Sequence, residues 1–351
     1  MLKSFRYLLF PFSILYRIGM SIRNILFDMN ILKSASFNFP LICVGNLAVG
    51  GTGKTPMTEY ILRVIKDKYK SSVVSRGYKR KTKGYILAGP KTSALDIGDE
   101  PMQIYNKFDN VYVAVGEERL VAIPQLLHDR PDTQVVVLDD AFQHRSIRAG
   151  LNIMLSDYNN LYTRDYLLPA GDLRDVRTSS KRAHVIVITK CPPEMTEQEQ
   201  KELMGEINPS KEQHVFFTTL EYGTPYHIFN LERKDINPET EVLLLCGIAN
   251  PGALKEMLTS KVRSYEMIKF RDHHIFTSED LQEIIIQFEA MDSRDKMILT
   301  TEKDAVRMDK FEKDLSAYPV YVLPVRHRFL FGGDKVFNGI LESFVGEFYK
   351  E

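Results

Sequence analysis

The sequence predicts an α/β fold in which helices flank a mostly parallel sheet, with a smaller C-terminal α/β domain after it. Short apolar runs rich in β-branched residues, such as Val111–Val115, lack polar alternation, which is typical of strands buried on both faces. Helical patterns, such as residues 117–128, separate these runs, and this order favours parallel strands joined by helices. A glycine-rich loop also stands between the first run and an amphipathic segment. In such folds, ligands bind beyond the carboxyl ends of the strands.

The chain has 351 residues, more than one core usually organises, so we expect two domains. We predict an N-terminal amphipathic helix over residues 1–29, a first α/β domain over 30–214, a two-stranded linker over 215–240 and a C-terminal α/β domain over 241–351. The first domain is predicted to hold strands at 41–44, 73–74, 111–115, 135–138, 151–155 and 185–188. The linker strands are predicted at 215–220 and 226–231, and the C-terminal domain at strands 242–245, 297–300 and 320–323 with helices 278–291 and 335–349.

The glycine-rich loop is the most informative motif of the chain. It reads AVGGTGKT and comprises Ala48, Val49, Gly50, Gly51, Thr52, Gly53, Lys54 and Thr55. Small residues let backbone N–H groups surround the phosphates of a nucleoside triphosphate, while the lysine reaches the β and γ phosphates and the threonine hydroxyl contacts Mg²⁺. Ala48 replaces the usual first glycine, and a glycine-rich turn without a ligand is the alternative. Pro56 suits the first turn of a helix and therefore supports a helix directly after the loop. From this order of strand, loop and helix we predict a P-loop NTPase-type sheet.

Carboxylates follow the predicted strands at two places. Asp139 and Asp140 end the apolar run 135–138, where a P-loop enzyme needs a carboxylate for Mg²⁺. The motif GDEP at residues 98–101 lies between the second and third strand regions, where we expect Asp99 to face the γ-phosphate from the acceptor side. A turn exposed to solvent is the alternative for both. The predicted metal ligands are Thr55, Asp139, Asp140 and Glu100.

Three further clusters supply candidate functional residues. In FRDHH, residues 270–274, adjacent histidines rarely bind one metal ion, so we predict that His273 orients an acid; a loop histidine without function is the alternative. Arg174 follows the turn LPAGD, and its planar guanidinium suits a phosphate. Arg76 and Tyr78 begin a basic stretch that could equally be a solvated charge run. We assign substrate binding to Arg174, Arg76, Tyr78, Asn46 and Gln143.

Composition limits the environment and the partners of the chain. The 46 basic and 46 acidic residues balance, which argues against a nucleic-acid-binding protein. The three cysteines are scattered, so neither a disulfide framework nor a zinc site is predicted, and a reducing cytoplasm is the natural compartment. No apolar run reaches the roughly 18 residues that span a bilayer.

The N-terminal segment has the composition of a helix that lies in a membrane interface. Its apolar residues at helical spacing are Phe5, Leu8, Leu9, Phe12 and Leu15, and its basic residues are Lys3, Arg6, Arg17 and Arg23. Pro11 is expected to kink or divide this helix. A signal peptide and a helix packed on its own domain are the alternatives, but Arg17 interrupts the apolar core of a signal peptide.

Eight motifs occur in the order VGNLAVGGTGKTP, SRGY, GDEP, LDDAFQHR, LPAGDLR, CGIANP, FRDHH and TEKDAV. From about residue 41 to residue 307 they closely resemble the tetraacyldisaccharide 4′-kinase family of lipid A biosynthesis. The resemblance implies a peripheral P-loop kinase at the cytoplasmic face of the bacterial inner membrane. It would transfer the γ-phosphate of ATP to the 4′-hydroxyl of a lipid A disaccharide 1-phosphate, giving a lipid IVA-type product.

The resemblance also implies roles for single residues. Asp99 would act with His273 in catalysis, Lys54 and Thr55 would handle the phosphates and Mg²⁺, and Asp139, Asp140 and Arg174 would lie in the active site. Small departures are Ala141-Phe142, where the family more often has a glycine, and the acids on either side of Arg174. The alternative is a membrane-associated P-loop ATPase or GTPase. However, the guanine-binding pattern that begins at Thr189-Lys190 continues to a proline instead of an aspartate.

Overall fold

A computed structural model describes residues 6–248 and 250–350 of the chain. Its strands are β1 Ala35–Ser36, β2 Leu41–Asn46, β3 Ser71–Ser75, β4 Ile86–Leu87, β5 Val111–Val115, β6 Val135–Asp139, β7 Ile147–Arg148, β8 Leu151–Asp157, β9 Val185–Thr189, β10 His214–Tyr222, β11 Tyr226–His227, β12 Glu241–Cys246, β13 Ser264–Lys269, β14 Lys296–Thr301, β15 Val320–Leu323 and β16 Val325–Phe329. Its α-helices are α1 Phe10–Asp28, α2 Lys54–Ile65, α3 Ala94–Ile97, α4 Asp99–Lys107, α5 Arg119–Asp129, α6 Glu197–Ile207, α7 Gly252–Lys261, α8 Ser278–Ala290, α9 Glu302–Ala305, α10 Glu312–Leu315 and α11 Gly333–Glu347.

Most strands of the first two-thirds of the chain, together with β16, form a nine-stranded sheet in the order β16-β10-β9-β8-β2-β6-β3-β5-β4. Neighbouring strands are parallel except at the two edges, where β16 and β4 are antiparallel. Its strands are buried on both faces: in β2, Leu41 and Cys43 belong to one apolar layer, and Ile42 and Val44 belong to the other. The predicted parallel α/β sheet is confirmed, because apolar β-branched runs suit strands covered by helices on both faces.

In the nine-stranded sheet, β2 is the strand at which successive strands change from one side of the sheet to the other. From β2 the sheet extends through β6 on one side and through β8 on the other. The loops that follow β2 and β6 therefore meet at the same carboxyl edge, which is where open α/β sheets bind ligands.

A second sheet has five strands in the order β11-β15-β14-β12-β13, and only the short β11 is antiparallel to its neighbour. Apolar side chains cover both of its faces. Leu243 packs in one layer with Ile284 of α8, and Leu244 packs in the other with Leu258 of α7. The prediction from the sequence omits α6, α7 and β13.

The connection between the sheets differs from the predicted two-stranded linker over residues 215–240. β10 does not pair with β11; it lies between β9 and β16 in the nine-stranded sheet, and β11 pairs with β15. The end of the chain also leaves the predicted C-terminal domain. β16 and α11 return to the first sheet, where Phe337 packs in one apolar layer with Ile61 and Leu62 of α2. The apolar face of α11 covers the helix that follows the glycine-rich loop.

The N-terminal helix α1 exposes its apolar side. Pro11 lies in its first turn, where it neither kinks nor divides the helix as predicted, because a missing N–H has no cost there. Ser13 and Asn24 are buried against the protein, and Asn24 Nδ2 donates to Asp175 Oδ1 at 2.8 Å. The large exposed apolar residues in and before α1 are Leu8, Leu9, Phe10, Phe12, Ile14, Leu15, Ile18, Ile22 and Ile25. Lys3 and Phe5 of the predicted helix lie outside the described residues.

This arrangement inverts the usual pattern of a surface helix, which buries its apolar stripe. The alternative of an ordinary helix packed on its own domain does not explain it. Within the two described ranges, none of the helices combines the length and the apolar content that crossing a bilayer requires.

Candidate active site

The predicted phosphate loop connects β2 with α2. Gly53 has a φ of 81° and Gly50 a φ of 99°, both in the left-handed region that favours glycine. Among the described residues, no atom beyond the adjacent residues lies within 4 Å of a Cβ placed on Gly50 or Gly51, so the loop is open on that side. The Val49 N–H donates to the Asp172 carbonyl at 2.8 Å, and Ala48 forms an isolated bridge with Leu173. The loop therefore has the backbone form that receives phosphate groups.

Asp140 is held by two cations at the end of β6. Lys54 Nζ lies 3.8 Å from Asp140 Oδ2, and Arg174 forms a fork with N···O distances of 2.8 and 3.3 Å. Although burial alone would raise it, Lys54 and Arg174 hold the pKa of Asp140 below its usual value. Asp140 has a φ of 50°, in the left-handed region that non-glycine residues rarely adopt but that aspartate tolerates.

Asp139 has a different environment from its neighbour. It is 4% exposed, and the Thr58 hydroxyl donates to its Oδ1 at 3.3 Å. Burial, followed by the charge of Asp140, raises the pKa of Asp139 to about 7. One long hydrogen bond compensates little of the cost of burying a charged carboxylate, so a nearby cation would stabilise the ionised form of Asp139.

Asn46 and Gln143, which the sequence analysis assigns to substrate binding, make hydrogen bonds within the protein. Asn46 is fully buried; its Nδ2 donates to Thr52 Oγ1 at 2.9 Å, and its Oδ1 accepts from Arg174. The Gln143 amide donates to the Asn46 carbonyl. Both ends of the Asn46 side chain are used within the protein, so it positions Thr52 and Arg174.

Asp99 and His273 meet although they are 174 positions apart in the sequence. Asp99 is the first residue of α4, so GDEP forms a helix start and not the turn that was the alternative. The carboxylate is 1% exposed; His273 Nδ1 lies 2.7 Å from its Oδ2, and Arg307 Nε donates to its Oδ1. Arg307 also donates to the His273 carbonyl at 2.9 Å, which binds this loop of the second sheet to the acid.

Lys303 determines which nitrogen of His273 carries the proton. Lys303 Nζ lies 3.2 Å from His273 Nε2, and an ammonium group can only donate, so Nε2 accepts and Nδ1–H donates to Asp99. Lys303 also pairs with Asp272 at 2.9 Å and with Glu100 at 3.1 Å. Glu100, predicted as a metal ligand, is therefore engaged by a cation.

Tyr78 lies beside His273, and Arg76 lies closer to Arg119 and His144. The Tyr78 ring, which is 59% exposed, makes an edge contact with the His273 imidazole at a centroid distance of 5.4 Å. Arg76 is exposed at the end of β3. Both positions leave these two predicted substrate-binding side chains accessible.

Arg119 is a candidate that the sequence analysis missed. It is 2% exposed and donates to the Gly116 carbonyl at 2.8 Å, but in the described part of the chain its Nε and Nη2 are buried without a hydrogen-bond partner. Burial lowers the pKa of Arg119 to about 10, and burial together with Arg119 and Arg76 lowers the pKa of His144 to about 4. These basic groups surround the acids of β6. Arg119 begins α5 directly after β5, so the strand-end rule applied to β5 would have found it.

The fold and the phosphate loop define a P-loop phosphotransferase in which a second α/β unit places His273 and Arg307 against Asp99. The family described as tetraacyldisaccharide-1-P 4′-kinase matches residues 5–345. The chain belongs to this family, as its eight motifs predict.

Individual relatives agree with this membership. The tetraacyldisaccharide 4′-kinase of Flavobacterium johnsoniae is 44% identical over 329 residues, which cover 93% of each chain. The enzyme of the same name from Phocaeicola vulgatus is 41% identical over 346 residues, covering 96% of this chain and 94% of its own. The crystal structure of LpxK from Aquifex aeolicus in complex with ATP is similar with a TM-score of 0.76 at 28% identity, and covers 98% of this chain and all of that chain.

Proposed function

We propose that this chain transfers the γ-phosphate of ATP to the 4′-hydroxyl of a tetraacyldisaccharide 1-phosphate at the cytoplasmic face of the bacterial inner membrane. The observation that carries the proposal is the buried Asp99, paired with His273 and Arg307, beside the phosphate loop. Glu100, next to Asp99, is among the charges that raise the pKa of Asp139, which supports placing Asp99 near the acids that follow β6. An ATPase that drives a partner protein would not need this second acidic centre.

The loop and its neighbours account for binding of the triphosphate. The N-terminus of α2 and the inward N–H groups favour the negative charge of the phosphates. Lys54 lies beside Asp140 and reaches the β and γ phosphates once a nucleotide competes for it. Two nitrogen atoms of Arg119, Nε and Nη2, have no hydrogen-bond partner among the described residues and are available to an oxygen of the transferred phosphate or of the acceptor.

The donors around Asp139 fit Mg²⁺. The described residues contain no cluster of three or more His, Cys, Asp or Glu side chains suited to a metal, and Mg²⁺ is usually bound by one or two carboxylates together with phosphate oxygens and water. We propose Asp139 and Thr55 as its protein ligands, since Lys303 engages Glu100 and two cations hold Asp140. When bound, the ion would neutralise charge that develops on the phosphate oxygens.

Asp99 orients the acceptor hydroxyl and receives its proton. In a largely dissociative transfer the attacking oxygen needs alignment more than early deprotonation. His273 and Arg307 each donate to one Asp99 oxygen, so the carboxylate keeps a fixed direction and retains lone pairs for the hydroxyl. His273, with its Nδ1 proton directed at Asp99, positions this acid instead of attacking the phosphate.

The N-terminal helix supplies the membrane contact that a lipid acceptor requires. Its exposed apolar residues would enter the boundary between headgroups and acyl chains, while buried Ser13 and Asn24 hold the helix on the enzyme. Tyr16 donates to the Arg174 carbonyl at 2.9 Å, so this helix lies close to the active site. An acceptor embedded in the bilayer can thereby reach Asp99 without leaving the membrane.

A transfer assay tests the proposal. The full chain in detergent micelles receives γ-labelled ATP and a tetraacyldisaccharide 1-phosphate, and the lipid product is separated by chromatography. We expect label in the lipid with the wild type, none with Lys54→Met, and wild-type transfer with Lys68→Met, which removes an exposed lysine after α2. Release of label only as inorganic phosphate would contradict the proposal.

A further inference from the structure

Two side chains beneath the phosphate loop hold successive carbonyl groups of that loop. Thr189, the last residue of β9, donates from Oγ1 to the Thr52 carbonyl at 3.0 Å. His327, in β16, places Nε2 2.9 Å from the Gly53 carbonyl. Thr189 is fully buried and His327 is 4% exposed, so both act from the sheet side of the loop.

These contacts, together with the Met57 N–H, which also donates to the Gly53 carbonyl at 3.1 Å, fix where the loop directs its N–H groups. The carbonyl and the N–H of a trans peptide point in opposite directions. Because the carbonyls of Thr52 and Gly53 point to the sheet, the N–H groups of Gly53 and Lys54 point to the open side of the loop. These are donors of the kind that surround phosphate in such loops.

The hydrogen bonds also fix the tautomer of His327. A carbonyl only accepts, so Nε2 carries the proton, and Nδ1 accepts from Thr218 Oγ1 at 3.0 Å. Burial lowers the pKa of His327 to about 4, which keeps the ring neutral. A Cβ on Gly53 would lie 2.9 Å from the ring, so the imidazole fills the space under the loop.

His327 also connects the loop with the second sheet. β16 begins at Val325, two positions after β15 ends in that sheet. The Val325 N–H donates to Glu302 Oε2 at 3.2 Å, and the next residue, Lys303, contacts His273. A single stretch of backbone thus joins the ring under the loop to the unit that supplies His273.

We propose that His327 is a positioning residue for the nucleotide: it orients the Gly53–Lys54 peptide toward the phosphates and ties the phosphate loop to the second sheet. The inference rests on the proposed kinase function for its substrate, ATP. It assigns the ring no contact with either substrate, so its removal affects ATP binding and leaves lipid binding unchanged.

The test uses the full chain in detergent with three variants. His327→Phe keeps the ring shape but removes both hydrogen bonds, His327→Gln restores a donor near the position of Nε2, and His214→Gln is a matched control at an exposed histidine. Calorimetry gives the Kd for ATP, and steady-state assays give KM for ATP and for the tetraacyldisaccharide 1-phosphate. We expect about tenfold weaker ATP binding in His327→Phe, the size of one lost buried hydrogen bond, with an unchanged lipid KM. His327→Gln recovers most of the affinity.

A folded His327→Phe protein with wild-type ATP affinity would overturn the inference. So would equal losses for both substrates without recovery in His327→Gln, because that result describes a purely structural residue. If circular dichroism shows that His327→Phe is unfolded, His327→Asn replaces it, since its shorter amide reaches Thr218 but not Gly53, and the same ATP-specific loss is required. Wild-type protein that binds ATP but never labels the lipid would refute the proposed function and leave this inference standing.

Discussion

Replacing Asp139 by asparagine should make the unliganded protein more stable and the enzyme inactive. The pKa of Asp139 rises from 3.8 to about 7 because of burial and then Asp140. Between these values the folded state binds a proton that the unfolded state has lost, so stability falls as pH rises through this window and stays low above it. At about 1.4 kcal/mol per pH unit, the ionised carboxylate costs about 4 kcal/mol, and the neutral amide of Asp139→Asn avoids this cost.

Urea unfolding of the wild type and of Asp139→Asn at pH 5 and at pH 8, without nucleotide, measures the difference. Only the part of the window from pH 5 to about 7 lies between the two measurements, so we expect the advantage of the variant to be larger at pH 8 by about 3 kcal/mol. We also expect kcat with Mg²⁺ and ATP to fall at least about a hundredfold. An advantage that does not change with pH would refute the assigned pKa. Wild-type turnover in the variant would refute the role of Asp139 at the metal.

Three further changes test other parts of the site. Asp99→Asn keeps the shape of the buried acid but cannot accept the hydroxyl proton, so kcat in the transfer assay should fall at least about a hundredfold. His273→Ala should have a milder effect, a fall in kcat of about tenfold. Similar losses of kcat in both variants would contradict the assigned roles. Leu15→Glu in α1 should reduce co-sedimentation with anionic vesicles. Ile286→Glu, at an equally exposed site in α8, should not reduce it. Equal co-sedimentation of the two variants would exclude α1 as the membrane contact. Arg119→Met should lower kcat/KM about tenfold or more without loss of stability in thermal melts, because two nitrogen atoms of the buried guanidinium have no partner within the described ranges. A variant with wild-type activity would assign Arg119 a structural role.

The strands and the phosphate loop could be predicted because their signals are local. Val111–Val115 and Val320–Leu323 have the predicted bounds, since uninterrupted β-branched runs have few alternatives in a parallel sheet. The sequence also contains a local signal for α6, because Thr196 and Glu199 form a capping box at its start. The surrounding charged residues and prolines concealed this pattern.

The return of β16 and α11 to the first sheet could not be predicted in this way. A helical pattern shows which residues of α11 are apolar, but not which sheet they will cover. Phe337 packs with Tyr60 of α2 at a ring-centroid distance of 5.8 Å, and this contact joins segments that are far apart in the sequence. The domain boundary was misplaced for the same reason.

The site residues, too, could be predicted only where their signals are local. Lys54, Thr55 and Asp139 follow from motifs at strand ends, which the parallel topology brings together. The pairing of Asp99 with His273 came from family resemblance, because no periodicity relates residues in two different sheets. The burial of Asn46 could not be predicted, because in the sequence a buried polar residue at a strand end looks the same as one that is open to a ligand.

The most direct test of the account is the position of the new phosphate. The lipid product of the wild-type reaction with ATP and Mg²⁺ would be purified and analysed by two-dimensional ³¹P–¹H NMR. The account predicts a second phosphomonoester signal coupled to the proton at C4′, with one ATP consumed for each lipid phosphorylated. A phosphate at any other position, or ATP consumed at the same rate without the acceptor, would contradict it.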